Sequence, residues 1–268
     1  MNENLKIDII IPSFNDYRIF RTIYSVYNCL GSDKVRLIII DGKSNEQLTN
    51  SISQVLRSQD ILISEKDRGI FDALNKGIDN CSNDFIFWLG SDDFMATDFN
   101  FNNVISLFED SEIDCIVYKT VFFNNCKPIR ELYISKMNAL MYKMGFHIPH
   151  FSSFWKTIQL KKDRFDLRFS IASGVDFFYK QIVLNKAKVI CVEEVSTYME
   201  LGGTSTKNIP SHLRGLKEVY EAYQRRQGWL QALLAVVVRY SWKIGSKSLK
   251  KEYPIIKHLS VLLLKSYS

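Results

Sequence analysis

Two adjacent carboxylates, Asp92 and Asp93, close the stretch from Asp84 to Asp93, D-F-I-F-W-L-G-S-D-D. Carboxylates this close repel each other, so one pKa rises unless a cation neutralises the pair. Hard divalent ions such as Mg²⁺ or Mn²⁺ do that with carboxylate oxygens and keep positions open for phosphate. The competing reading is a solvated Asp-rich turn. What precedes the pair bears on the choice. Phe85 to Leu89 is short, continuous and apolar without amphipathic-helix spacing, which reads as a strand buried on both faces. Ligands of an open α/β sheet sit at the carboxyl ends of such strands.

The elements upstream repeat that arrangement. Lys6 to Pro12 (K-I-D-I-I-I-P) reads as a first buried strand, turned by Ser13, Phe14 and Asn15 into a helix with Phe20, Ile23, Tyr24 and Tyr27 at helical spacing. Val35 to Ile40 is a second strand ending at Asp41 and Gly42. Helix 47–57 leads to strand Ile61–Ser64, a charged loop from Glu65 to Gly69, and helix 70–79. Strands alternating with helices predict βαβ units and a parallel sheet, with right-handed crossovers. Ser13, Asp41, the 64–69 loop and Asp93 then fall along one edge.

Beyond Phe94 the alternation changes. Residues 114–123 and 129–134, separated by Asn124 and Asn125, predict an antiparallel hairpin. Ser135 is expected to cap a short helix reaching Met144, and residues 151–156 to return to the sheet. A helix over 173–184 carries Asp176 in its first turn; 189–192 and 196–200 read as separate strands. Pro210 suits the first turn of a helix to about Gln227, and 229–247 and 254–265 read as further helices.

A chain of 268 residues, 46% hydrophobic and 24% charged, is ordinary globular material. The five cysteines are scattered with no C-x-x-C pair, which argues against a disulfide framework or zinc site and for a reducing cytoplasm. The strand-like run Ile7–Ile11 has no basic lead and no long apolar core, so a signal peptide is not expected. The net charge of +6 is uneven: from His212 onward eleven Lys and Arg face three Glu, giving +8 there and −2 in the remainder. Such asymmetry points to an anionic partner for the tail. Nucleic acid is a poor candidate, because the basic residues do not lie along a recognised binding module.

The ordered set I-I-I-P-S-F-N, L-I-I-I-D-G-K-S, S-E-K-D-R-G-I-F-D-A-L-N-K-G-I and W-L-G-S-D-D resembles family-2 glycosyltransferases with the GT-A fold, of the bacterial polysaccharide and O-antigen type, over roughly residues 6–205. The Gly-rich loop of a dinucleotide-binding domain is absent after the first strand, which offers S-F-N-D. The resemblance implies an α/β fold with a Rossmann-like central mixed sheet flanked by helices. It places a catalytic domain at 1–208, with a nucleotide half of about 1–95 and an acceptor half of about 96–208. A basic helical extension at 209–268 follows. It implies nucleotide-sugar contacts from Pro12, Ser13, Asn15, Asp41, Asp67, Arg68, Asp92 and Gly203. Asp93 would hold the metal and Asp176, in A-S-G-V-D-F-F, would be the catalytic base. One departure is that Gly90 or Ser91 stands where some members carry an acidic residue.

Sugar transfer needs charge stabilisation on the departing diphosphate and a base for the acceptor hydroxyl. Asp93 with a divalent cation answers the first and Asp176 the second, although an acidic residue there also stabilises a helix amino terminus. His150 is a candidate acceptor contact, with loop packing as the alternative. Residues 202–205 (G-G-T-S) offer backbone amides for phosphate, or a plain turn. Lys76 reads as a surface residue. Residues 229–238 are too few to cross a bilayer. With Trp229, Tyr240 and Trp242 among Arg239, Lys243, Lys247, Lys250 and Lys251, they suit a segment lying on an anionic leaflet, or a helix pair with a solvated basic face.

The sequence therefore predicts an inverting, metal-dependent glycosyltransferase. Its donor would be a nucleotide-sugar, UDP-linked by first expectation, and its acceptor a lipid-linked oligosaccharide on the inner face of the cell membrane. The alternative is a catalytically inactive, nucleotide-binding, membrane-associated assembly subunit. A nucleotidyltransferase ranks last, since S-F-N-D is not a Gly-rich basic loop.

Overall fold

The structure, a computed structural model, describes residues 5–110, 112–124, 127–201 and 209–245, leaving aside the side chains of 150, 209 and 242–245. The expected Gly202–Ser205 loop and the 254–265 helix lie outside the described residues. The chain opens with β1 (Ile7–Ser13), α1 (Ile19–Tyr27), β2 (Val35–Asp41), α2 (Glu46–Val55), β3 (Ile61–Ser64), α3 (Ile70–Asn80) and β4 (Phe85–Trp88). These are the anticipated βαβ units, and β3-β2-β1-β4 are parallel neighbours. Next come β5 (Phe94–Met95), α4 (Phe101–Leu107), β6 (Cys115–Asn124), β7 (Lys127–Leu132) and α5 (Ala139–Lys143). β8 (Ser153–Lys156), α6 (Thr157–Leu160), α7 (Ser173–Tyr179), β9 (Val189–Glu200), α8 (Ile209–Gln227) and α9 (Trp229–Gly245) complete the described elements.

β8 joins the parallel half antiparallel to β4, and the sheet continues through β6, β9 and β5, with β7 paired to β6 as the predicted hairpin. The result is the mixed sheet flanked by helices that the sequence implied. Three details differ. Residues 189–200 form one strand, because β9 accommodates Glu193 and Glu194 through register shifts against β6 rather than by breaking. α5 starts after Asn138, whose side chain accepts from the Met141 amide, and not at Ser135. The 173–184 helix changes after Tyr179 to a π-helical turn over Lys180–Leu184.

Burial on both faces explains the apolar strands. Ile7, Ile9 and Ile11 of β1 pack with α1, α2 and α4 residues on one face. Ile10, with Ile38, Ile40, Ile86 and Trp88, packs with α3, α7, α8 and α9 residues on the other. The exception within β1 is Asp8, fully buried at the amino end. Its carboxylate accepts from Arg36 Nε (2.8 Å) and Nη2 (2.9 Å), and from the Ser82 (2.8 Å) and Asn83 (2.9 Å) amides, so the charge is fully paired. α1 buries Ile19, Ile23 and Val26, leaving the anticipated Phe20, Tyr24 and Tyr27 only half-buried at its edges.

α3, which carries the chain away from the charged loop, lies so close to β1 that a Cβ on Gly77 would collide with Ile10 Cγ2 and sit 3.1 Å from its Cδ1. Gly77→Ala is expected to cost about 1–3 kcal/mol through overpacking, read as a lower thermal midpoint. An unchanged midpoint contradicts the close approach.

Candidate active site

The carboxyl edge of the parallel strands gathers the predicted residues in register. Ser13 pairs with Asp41, and Asp41 with Ser64. Pro12, one residue inside, pairs with Ile40. Asp41 is fully buried and organises this edge: Oδ2 accepts from the Ser44 amide (2.8 Å) and the Ser64 hydroxyl (2.7 Å), and Oδ1 accepts from Ser44 Oγ. Asn15 adopts a positive φ of 49° and its amide donates to Ser44 Oγ at 2.7 Å, tying the β1 turn to the β2 turn. The buried Ser13 hydroxyl has no hydrogen-bond partner among the described residues.

Asp67 comes back over this edge. A Cβ on Gly42 would lie 2.8 Å from Asp67 Oδ2 and 3.3 Å from the Phe14 ring, so glycine is what admits the two side chains together. Phe14 is 63% exposed, an aromatic face open at the mouth of a polar site. Sequence reasoning passed over it; the signal was a large aromatic in a turn of otherwise polar residues. Arg68 is exposed, its amide and guanidinium both directed to Asp72. Lys76 pairs with Glu65 at 2.8 Å and donates to the Lys66 carbonyl, bracing the loop.

After β4 the turn from Gly90 to Asp93 lies against α1. The Thr22 hydroxyl is 2.6 Å from the Asp93 carbonyl and 2.9 Å from that of Ser91, while Arg21 donates to the Asp92 carbonyl. Asp93 is buried, and its Oδ1 accepts from the Glu200 amide at 3.1 Å. Burial and the neighbouring Asp92 charge push the Asp93 carboxyl well above the usual carboxylate range, against the opposing pull of the Glu200 amide and Arg21. Burial likewise raises Asp92, with Arg18 opposing.

Guanidinium groups partly supply the cation that the sequence argument demanded. Arg18 approaches Asp92 at 3.6 Å and Glu200 at 3.4 Å, and Arg21 reaches Glu200 at 3.0 Å. Arg18 also bonds Asp16 at 2.9 Å; despite burial, this guanidinium and the Ser91 hydroxyl hold Asp16 below its ordinary value. Arg18, Arg21 and Glu200 carried no local sequence signal, because their partners lie up to 182 residues away.

Among the described residues no three His, Cys, Asp or Glu side chains converge to hold a metal ion. Mg²⁺-type ions commonly bind through one or two carboxylates, with substrate phosphates and water completing the shell. The Asp92–Asp93 pair therefore fits a cation arriving with a diphosphate, not one caged by protein alone.

Asp176 sits in the first turn of α7, as expected, and is 3% exposed. Both its oxygens are engaged: Arg226 Nε donates to Oδ1 at 2.7 Å and Nη2 to Oδ2 at 3.0 Å, with Lys180 at 3.5 Å. The next side chains, Phe177 and Phe178, pack on Trp88 at the end of β4. His150 opens a 3₁₀ turn, and its side chain is outside the described residues, as is Gly203. At the opposite sheet edge a cavity of about 690 Å³, lined by Leu5, Phe85, Phe108, Lys156 and Lys161, contains none of the predicted groups.

The fold and this edge define a GT-A glycosyltransferase. The sequence profile described as Glycosyl transferase family 2 matches residues 8–174, more than half the chain, and the protein belongs to that family. No curated protein matches it. Among solved structures, S. aureus TarS has 13% identity and a TM-score of 0.64 over 98% of this chain and 48% of that one, so this chain spans about half the TarS length. TarS 1–349 in complex with UDP-GlcNAc has 12% identity and a TM-score of 0.60, over 90% and 93% of the two chains. The mannosyltransferase PcManGT from Pyrobaculum calidifontis, in complex with GDP-Man and Mn²⁺, has 12% identity and a TM-score of 0.61 over 100% and 82%. At these identities the likeness is one of fold.

Glu218 of α8 also escaped sequence reasoning. α7 has no capping side chain of its own, and Glu218 accepts from the Ile171 (2.7 Å) and Ala172 (2.9 Å) amides and the Ser170 hydroxyl (2.7 Å) ahead of it. Burial works against the charged form, yet these donors win and hold the Glu218 pKa below its ordinary 4.5. A depressed carboxylate stabilises the fold above its unfolded pKa and loses that contribution as pH falls through the folded value. Glu218→Gln should therefore cost about 1–3 kcal/mol at pH 7, seen as a lower melting temperature, and the gap to wild type should narrow as pH falls through the depressed Glu218 pKa. A pH-independent gap contradicts the role of the charge.

Proposed function

We propose that the edge formed by Ser13, Asn15, Asp67, Asp92 and Asp93 binds a nucleotide-sugar, UDP-linked, together with Mn²⁺ or Mg²⁺. In this reading the enzyme transfers the sugar with inversion to a lipid-linked oligosaccharide in bacterial surface polysaccharide synthesis. One observation carries it: a buried carboxylate, Asp93, with Asp92 beside it, at the carboxyl end of β4 and next to the Ser13–Asp41–Ser64 register. Similar folds solved in complex with UDP-GlcNAc, and with GDP-Man and Mn²⁺, support the donor class.

The roles follow from the chemistry. Phe14 stacks on the base, while Asp67 and Arg68 border base and ribose; Asp41 holds the loops that present them. Asp92 faces the ribose or sugar hydroxyls. When bound, the divalent cation offsets the charge gathering on the departing diphosphate, and Asp93 is the residue to hold it. The acceptor oxygen bonds to the anomeric carbon as the carbon–oxygen bond to the diphosphate breaks, on the opposite face. The hydroxyl proton passes to Asp176, and His150 contacts the acceptor. For Asp176 to accept it, the Arg226 pair must open. That closed pair favours the second reading, a nucleotide-binding subunit without transfer.

A thermal-shift titration with UDP, with and without Mn²⁺, tests the site. Wild type should be stabilised by UDP and further by Mn²⁺; Asp93→Asn should lose the Mn²⁺-dependent part and all turnover. Phe14→Ala should weaken UDP by roughly 10-fold, the scale of one base–aromatic stack. No response to UDP, or a full Mn²⁺ response in Asp93→Asn, contradicts the proposal.

Transfer assays separate the two readings. Asp176→Asn should lower turnover about 10²–10⁴-fold, the scale of general-base catalysis, with UDP binding kept, while Arg226→Gln stays within ten-fold of wild type. Equal losses in both variants assign Asp176 to tying α7 to α8. UDP binding with no transfer in wild type favours the inactive subunit.

A further inference from the structure

We propose that the outer face of α9 docks the protein onto an anionic lipid bilayer. A surface helix ordinarily turns its large apolar side chains inward, and α9 does the reverse. Ala232, Ala235 and Val236 are buried, whereas Trp229 (64%), Leu230 (58%), Leu233 (50%), Leu234 (55%) and Val237 (54%) stand in solvent. Spaced i, i+1, i+4, i+5 and i+8, these five form one continuous stripe along the helix.

The rotation of α9 that exposes this stripe is fixed by packing. Gly145, at φ +101°, lies where any Cβ would collide with the Ala235 carbonyl oxygen, so the backbones touch and only the alanine face fits. At the α8–α9 turn, Gln227 Nε2 donates to the Lys143 carbonyl at 2.9 Å, and the Tyr223 hydroxyl donates to the Tyr142 carbonyl at 3.1 Å. These two bonds hold α8 to α5, while the Gly145–Ala235 approach sets the face of α9: turning the leucines inward would put large side chains where only the alanine face fits. α5, held in this way beside α9, also leaves Leu140 and the adjoining Met144 exposed.

Charge selects the occupant. Residues 212–268 carry +8 while the rest of the chain carries −2. A second copy seated on α9 would bring two +8 segments together, and the 246–268 segment folded back would set its five lysines against residues 212–245, which themselves carry six Lys and Arg against two Glu. An anionic leaflet attracts where both of these repel, and it takes the apolar stripe into its headgroup boundary. No helix among the described residues is long and apolar enough to cross a membrane, so α9 lies in the plane of the surface.

Co-sedimentation of the full chain with vesicles tests this, using phosphatidylcholine alone and phosphatidylcholine with one-quarter phosphatidylglycerol. Wild type should favour the anionic vesicles at least 10-fold, and the Leu230→Glu/Leu234→Glu variant should lose at least 10-fold of that binding. Tryptophan emission should shift to the blue on adding anionic vesicles to wild type, and the shift should be lost in Trp229→Phe, which separates it from Trp88, Trp155 and Trp242. The assay contains no nucleotide, so it stands apart from the donor reading. The proposal is overturned by equal binding of the two proteins, by no preference for anionic lipid, or by no emission shift. It is equally overturned if ultracentrifugation shows a wild-type dimer that the double variant dissociates.

Discussion

A buried carboxylate beside a second one is the constraint around which the rest of this protein is arranged. Asp93 is withdrawn from water with Asp92 next to it, an arrangement that burial and like charge both oppose. The chain answers with α1, whose Arg21 and Thr22 hold the turn's carbonyls and whose Arg18 faces Asp92. It answers again with β9, whose last amide bonds Asp93. Parallel strands β1 to β4 and the late strand β9 thus meet at one residue. In the proposed reading, a divalent cation arriving with a diphosphate would relieve this repulsion.

The second organising principle is that a helix from the end of the chain ties down the start of α7, the helix that carries Asp176. α7 has neither its own cap nor a free acidic residue: Glu218 and Arg226, both from α8, occupy its first turn. The α8–α9 hairpin is therefore part of the folded body, sharing a core with Trp88 and Phe177 through Val219, Tyr223, Ala232 and Ala235. Its residues and the helix carrying Asp176 therefore belong to one packed core.

The parallel half was legible in the sequence because its strands are buried on both faces, and runs such as Ile9–Ile11 and Ile38–Ile40 have no other reading. Ser13, Asp41 and Asp93 followed, since strand ends fix where turns fall. Less was legible where partners are distant. β5, α4 and α6 are too short for periodicity to show, and β9 looked like two strands because Glu193 and Glu194 interrupt an apolar pattern that the sheet tolerates by shifting register. The Ser64 bond to Asp41 and the clamp on Asp176 depend on residues 23 and 50 positions away, which no local pattern encodes.

A crystal structure of the full chain with UDP and Mn²⁺ interrogates the central claim most directly. The account predicts the metal within about 2.2 Å of an Asp93 oxygen, bridging to the diphosphate, with the base against Phe14. Nucleotide in the cavity near Phe85 and Phe108, or diphosphate bound at the strand ends with the metal remote from Asp93, would contradict it.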